Sequence, residues 1–154
     1  MASVLPTIPR YFFCFIEPTL LILAFATTSM FPSYYVSTQS KLAPLHRLLS
    51  TEQILSFQLS NLFFLIAVIE LYIFFSTTDT KAVQALITAL WWGDLGHLGV
   101  TTWCMGAAAL RNPRSWSLVN WGNIAIPTLL FTMRSLYLVG FFDSEPYAKH
   151  GEWS

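Results

Sequence analysis

The sequence predicts an all-α membrane protein, a bundle of four transmembrane helices in a single domain. Three observations favour this fold. Hydrophobic residues make up 55% of the 154 residues and charged residues only 10%, whereas a soluble domain carries about 25% charged residues. Four windows are apolar enough and long enough for a spanning helix, which needs about 20 residues. Almost nothing is left outside these windows, so residues 1–154 are predicted to form one transmembrane domain.

The first two helices are predicted at roughly 11–31 and 54–75. The two prolines of "LPTIPR" oppose helix up to Arg10, and Pro32 marks the exit of the first helix. Residues 32–51 are predicted to be the longest loop. It ends in "STEQ", where Ser50 or Thr51 can cap the second helix and an acidic or amide side chain can sit in its first turn.

The other two helices are predicted at roughly 82–109 and 116–142. Asn112-Pro113 separates them, because proline cannot continue a helix. Pro127 lies inside the last helix, where it is tolerable if neighbouring groups satisfy the carbonyl that it leaves without a partner. An even number of spans would put both ends of the bundle's chain on one side of the membrane.

Five ionisable residues fall inside the predicted spans: Glu17, Glu70, Asp94, His97 and Arg134. Each costs about 2.5 kcal/mol or more in mid-membrane, so each is a candidate functional residue. At a rise of about 1.5 Å per residue, Glu17, Glu70 and Arg134 lie about 8 to 12 Å from the terminal side, and Asp94 and His97 about 18 to 22 Å from it. The five are therefore expected at related levels of the bundle.

The charges in this set are unequal, since three carboxyls face one arginine and one histidine. Arg134 can neutralise one carboxylate and His97, if protonated, a second, so at least one carboxyl is expected to be neutral. A protonated acid beside an ionised one supplies a general acid and a general base in one cavity. We therefore predict Asp94, His97, Glu17 and Glu70 as catalytic residues. The alternative is a structural hydrogen-bonded network.

Further polar and aromatic residues are predicted to bind the substrate: Arg134, Asn123, Asn120, Trp91 and Thr101. Trp91 and Thr101 continue the helical stripe of Asp94 and His97, and the two asparagines share a stripe with Arg134. Beside them Gly93 and Gly96 are interpreted as packing positions that let helices approach closely.

Several function classes are disfavoured. The net charge is zero, with eight basic and eight acidic residues, so no basic face indicates nucleic acid. The chain has no HExxH zinc motif and no serine elbow, and its G-x-x-G-x-x-G spacing lacks the flanking strand of a nucleotide site. We expect no metal and no cofactor. The expected partners are a hydrophobic small-molecule substrate and the lipid bilayer, with a second copy of the chain as a further candidate.

Three segments carry a resemblance to a family: "LPTIPRYFFCFIEP", "GDLGHL" and "TLLFTMRSLYLVG". They resemble small fungal four-helix membrane proteins, and the resemblance covers nearly the whole chain. At matching positions it points to Glu17, Asp94, His97 and Arg134. Some members accompany polyketide synthases of aurovertin, citreoviridin and asteltoxin type. The helix number and the intramembrane acids are also distantly similar to the emopamil-binding sterol isomerase group, from which no residue is carried over.

The resemblance implies an epoxide hydrolase or cyclase of polyketide secondary metabolism that opens epoxides and closes cyclic ethers, in an integral membrane location such as the endoplasmic reticulum. Epoxide opening needs a proton for the ring oxygen and a base for water or a hydroxyl, which two unlike carboxyls can supply. Two alternatives stay open. One is a sterol or terpenoid isomerase or cyclase that uses the same groups for proton transfer. The other is a non-catalytic lipid-binding or transport protein.

Overall fold

The computed structural model describes residues 4–40 and 47–143, and these residues are almost entirely helical. The five helices are α1 (Thr7–Met30), α2 (Pro32–Ser40), α3 (Ser50–Ser76), α4 (Thr80–Leu110) and α5 (Leu118–Leu138), with a 3₁₀ turn at Pro113–Ser115. No strand occurs in these two ranges. The all-α prediction is confirmed. The single-domain prediction also includes 1–3, 41–46 and 144–154, which lie outside the described residues.

Helix α1 begins at Thr7, so the prediction of an extended lead-in up to Arg10 is wrong. Pro6 precedes the helix and Pro9 lies in its first turn, where backbone N–H groups have no helical partner to lose. Residues Phe12–Ile16 form a π-helical turn. The turn ends two residues before Pro18, whose ring conflicts with the carbonyl four residues earlier, and the wider turn accommodates that proline inside the helix.

Helix α2 occupies part of the segment predicted to be a loop, and this prediction is wrong for Pro32–Ser40. Pro32 stands at the first helical position, where its fixed φ favours helix formation rather than opposing it. Helix α2 packs against α1, α3 and α5, and it buries Tyr35 and Ser37. Its contribution to the interior could not be seen from its weakly apolar sequence.

The starts of the later helices are fixed by side-chain caps. Helix α3 is capped by Glu52, whose Oε2 accepts from the Leu49 N–H at 2.8 Å, rather than by Ser50 or Thr51. Asp79 accepts from the Lys81 N–H at 2.9 Å at the start of α4. Helix α4 is longer than predicted and is kinked near its end at Gly106, which has φ 74° and ψ 160°, a conformation that glycine tolerates best.

The long helices pack as two pairs, α1 with α3 and α4 with α5. The serine hydroxyls of α3 join the first pair, since Ser56 donates to the Thr28 carbonyl and Ser60 to the Phe25 carbonyl, both at 3.0 Å. All four long helices share one apolar cluster at the end of the bundle where α1 begins and α3 ends. It includes Phe13, Phe74, Val83, Ile87 and Leu130.

Beside this apolar cluster, the described residues expose many large apolar side chains and bury several polar ones. Large apolar side chains lie on the outside, for example Trp103 at 87% exposure and Tyr72 at 73%. Nine polar or charged residues are buried among the described ranges: Glu17, Thr28, Ser37, Ser56, Ser60, Glu70, Asp94, Asn120 and Arg134. Helices α1 and α3 are long and apolar enough to cross a membrane by length and composition.

Candidate functional site

The candidate site is a buried arginine that faces three carboxyl groups. Arg134 Nη2 donates to Glu17 Oε1, and Arg134 Nη1 donates to Asp94 Oδ2. Glu70 Oε1 lies 3.7 Å from Arg134 Nη2. We call these four residues the Arg134 cluster. Each of the four long helices contributes one member, so the cluster joins both helix pairs at a single point.

The course of the chain explains why these residues meet. Glu17 follows the π-helical turn of α1, and Glu70 lies near the end of α3. Asp94 is at the middle of α4, while Arg134 lies one turn before the end of α5 and has a side chain long enough to reach inward. Depth counting predicted related levels for these residues, and the structure brings all four together.

The cluster is shielded from solvent, but unequally. The side chains of Glu17 and Arg134 are each 2% exposed and that of Glu70 is fully buried, whereas the side chain of Asp94 is 11% exposed. Three ionised carboxyls and one guanidinium would give a net charge of −2. Burying uncompensated charge is costly, so fewer than three of these carboxyls can be ionised together. Asp94 is the member nearest to the outside.

His97 lies outside the Arg134 cluster, one turn along α4 from Asp94. Its Nε2 donates to the backbone carbonyl of Asn123 at 3.2 Å, because a carbonyl oxygen can only accept. Asn123 is four residues before Pro127, which has no N–H to give to that carbonyl. His97 thus replaces the helical hydrogen bond that Pro127 removes. The structure therefore shows His97 bound to a backbone carbonyl, whereas the sequence analysis expected it beside a carboxylate.

We expect the stability contributions of His97 and Pro127 to be coupled. His97→Ala should cost about 1 kcal/mol in the wild-type background, because it leaves the Asn123 carbonyl without a donor. It should cost clearly less in a Pro127→Ala background, where residue 127 again supplies a backbone N–H. A double-mutant cycle on thermal or denaturant unfolding in detergent measures this coupling. Equal costs in the two backgrounds would show that His97 does not serve the freed carbonyl.

Neither of the two predicted substrate-binding asparagines belongs to the Arg134 cluster, and Asn123 contacts helix α2 instead. Asn123 Nδ2 contacts the Tyr35 hydroxyl at 3.5 Å. Burial raises the pKa of the Tyr35 phenol above its usual value, so this hydroxyl keeps its proton. Asn120 is 2% exposed, and its Oδ1 has no hydrogen-bond partner among the described residues. Tyr35 was missed from sequence because its segment was read as a loop.

Trp91 and Thr101, also predicted to bind substrate, have different surroundings. Trp91 Nε1 donates to Ser135 Oγ at 2.8 Å, and its ring stacks on Phe131 with centroids 5.2 Å apart. Trp91 therefore fastens α4 to α5. Thr101 is half-buried on the same helix.

Gly93 and Gly96 are exposed, and a Cβ added at either would meet no atom within 4 Å. Their interpretation as close-packing positions is therefore wrong within this chain.

The described part of the chain includes two surface grooves of about 510 and 320 Å³. The first lies on the outer face of α4 and includes Lys81 and Trp92, and the second lies between α1 and Leu71. Neither is lined by any of the nine predicted site residues. Within the described part of the chain, no group of three or more His, Cys, Asp or Glu side chains could hold a metal ion.

Comparison with known proteins places most of the chain in a family. Residues 2–144 match a family model described as a domain of unknown function, DUF7704. No curated protein and no solved structure matches the chain. The match covers every member of the Arg134 cluster.

Proposed function

The chain belongs to the DUF7704 family, a domain of unknown function, and from its buried ionic site we propose that it is a membrane-embedded enzyme using carboxyl groups for acid–base catalysis on a hydrophobic small molecule. The observation that carries this proposal is the Arg134 cluster, in which three carboxyls share one guanidinium but differ in contact and exposure. Perturbed, buried ionisable groups of this kind concentrate at functional sites.

The membrane part of the proposal is that all four long helices span the bilayer. They contain 24, 27, 31 and 21 residues, and about 20 are needed. Helices α4 and α5 are less apolar than α1 and α3 because they carry Asp94, His97, Arg134 and two asparagines. In a bundle that spans a membrane, such residues face the interior, as the buried Asp94 and Arg134 do here, and the outer faces are apolar.

Four spans make a direct prediction about sidedness. Single cysteines placed at Thr78, between α3 and α4, and at Ser115, between α4 and α5, should react with a membrane-impermeant thiol reagent from opposite sides. The background is the chain with Cys14 and Cys104 replaced by alanine, since these are the two native cysteines. Sealed vesicles of known orientation give the measurement. Labelling of both positions from the same side would rule out a membrane-spanning α4.

The reaction that suits this site best is the opening of an epoxide. A C–O bond of the ring breaks, its oxygen gains a proton from an acid, and the oxygen of water or of a substrate hydroxyl attacks the carbon and loses its proton to a base. General acid–base assistance of this kind is typically worth about 10²–10⁴-fold in rate. Asp94 is the member best placed to meet a substrate, because its side chain is the most exposed of the three carboxyls.

The substrate class follows from the surroundings and from the resemblance noted in the sequence. The bundle's outer surface is rich in large apolar side chains such as Trp92 and Trp121, so a substrate would arrive dissolved in the membrane. A polyketide-type polyene epoxide, converted to a diol or a cyclic ether, fits these requirements. We also propose the endoplasmic reticulum membrane as the place of this reaction. An isomerase of a sterol or terpenoid would use the same acid and base without adding water.

A second candidate function is non-catalytic binding or transport of a lipid. The observation that favours it is the position of the two grooves, since neither reaches the Arg134 cluster. A cluster sealed inside the bundle could fix the helix pairing while the groove between α1 and Leu71 holds an acyl chain.

Incubation of protein-containing membranes with polyene epoxides distinguishes these functions. We expect the epoxide to be opened to a diol, with the mass of one added water, or to a cyclic ether of unchanged mass. Mass spectrometry and chiral separation should show that each product has a defined chirality. Double-bond migration without a change of mass would favour the isomerase. Unchanged epoxide and unchanged sterol, together with retention of a lipid through purification, would favour binding.

A further inference from the structure

Glu70 differs from the other two carboxyls of the Arg134 cluster in its contacts. Its side chain is fully buried, and neither of its carboxyl oxygens has a hydrogen-bond partner among the described residues. The distance of 3.7 Å from Oε1 to Arg134 Nη2 is too long for a hydrogen bond. Arg134 donates through its Nη atoms to Glu17 and Asp94, and its Nε donates to no described residue, so none of its hydrogen bonds reaches Glu70. Glu70 is therefore near the guanidinium without being bound by it.

The groups that face Glu70 do not favour a negative charge on it. Helix α1 brings the Glu17 carboxylate and the Cys14 thiol, helix α4 brings Asp94, and helix α5 brings Arg134. Helix α2 contains no charged residue or histidine. The single positive charge is directly paired twice, so an ionised Glu70 would be a third anion in a water-excluded site, and no described residue donates a hydrogen bond to it. An ionised carboxyl in that position becomes neutral by taking up a proton.

We infer that Glu70 holds a proton at neutral pH and keeps it, and that Asp94 is the cluster's exchanging acid. This assignment keeps the net charge of the Arg134 cluster between −1 and zero. With Glu70 protonated, Arg134, Glu17 and Asp94 sum to −1, and protonation of Asp94 brings the sum to zero. Glu17 stays ionised as the buried partner of Arg134. Asp94, with 11% of its side chain exposed, can pass its proton outward, whereas Glu70 cannot.

This inference assigns roles within the site of the proposed function, but the proton on Glu70 follows from burial and contacts alone. Glu70 is accordingly a positioning residue: it keeps the net charge low enough for Asp94 to gain and lose a proton. The test needs no substrate. A failure of the epoxide reaction and a failure of this assignment can therefore be told apart.

Infrared spectroscopy of the purified full-length protein at neutral pH is the experiment. The wild type should show the C=O stretch of a protonated carboxylic acid, with a component that shifts slowly after transfer to D₂O. Glu70→Gln should remove this slow component. Asp94→Asn should leave it, and so should the control Glu52→Gln, which changes the capping carboxyl in the first turn of α3. Absence of the band from the wild type, or its unchanged slow component in Glu70→Gln, would overturn the inference.

Thermal stability gives a second readout for the same variants. Glutamine resembles a protonated glutamic acid, so Glu70→Gln should keep the wild-type unfolding midpoint or raise it at neutral pH. Glu17→Gln removes an ionised partner of Arg134 and should lower the midpoint. A drop for Glu70→Gln as large as that for Glu17→Gln would mean that Glu70 is ionised and paired, against the inference.

Discussion

Arg134→Ala is expected to lose most of the folded protein. The substitution leaves Glu17 and Asp94 buried without the cation that both of them contact. Breaking a buried ion pair from one side costs about 3–5 kcal/mol, which is a large part of the 5–15 kcal/mol by which folded domains are typically stable. The yield of monodisperse protein in detergent and its unfolding midpoint measure the loss.

The control for this variant is Arg114→Ala, which removes an exposed arginine from the 3₁₀ turn and should change neither quantity. The deficit of Arg134→Ala should also shrink as the pH falls, because protonation of the stranded carboxyls removes their charge. Wild-type stability of Arg134→Ala at neutral pH would mean that the cluster is not held together by its charges.

Asp94→Asn is expected to keep the fold and lose the reaction. Asparagine is nearly isosteric and still offers an oxygen to Arg134, while Glu17 continues to pair with the guanidinium. The asparagine side chain cannot gain or lose a proton at the pH of the reaction. Turnover of an epoxide substrate should therefore fall by about 10²-fold or more. The separation of activity from stability is the point of this variant.

A matched control lies on the same helix. Asp79→Asn changes the exposed cap of α4, where asparagine caps as well as aspartate does, so its turnover and midpoint should equal the wild-type values. A fall in the unfolding midpoint of Asp94→Asn in step with its activity would place Asp94 among structural residues.

The Arg134 cluster could be anticipated from sequence because ionisable residues in apolar helices have few ways to avoid a large energetic cost. Glu17, Glu70 and Arg134 were expected at one level from the helix rise, and the structure has them in contact or within 3.7 Å. The helix rise could not predict which two of the three carboxyls accept hydrogen bonds from Arg134. Which carboxyls receive the two Nη groups depends on side-chain directions set by packing between helices, and no single helix sequence contains that information.

The role of His97 was partly within reach of sequence. Pro127 was expected to free a carbonyl that neighbours must satisfy, and the carbonyl four residues before it belongs to Asn123. That His97 supplies the donor depends on the axial alignment of α4 with α5.

The expectation for Pro32 was wrong, because this residue begins helix α2 instead of a loop. A proline stops a preceding helix and can start the next one, and local sequence does not decide between the two.

Acid–base catalysis by the Arg134 cluster is tested most sharply by the turnover of one polyene epoxide by purified, folded wild type, Asp94→Asn, Glu17→Gln and Glu70→Gln in the same detergent or nanodisc. We expect turnover by the wild type and a loss of about 10²-fold or more in Asp94→Asn, with a smaller loss in Glu70→Gln, whose fully buried side chain is not placed to meet the substrate. Near wild-type rates in all three variants would contradict this expectation, because the buried carboxyls would then be structural and the acid–base site would have no basis.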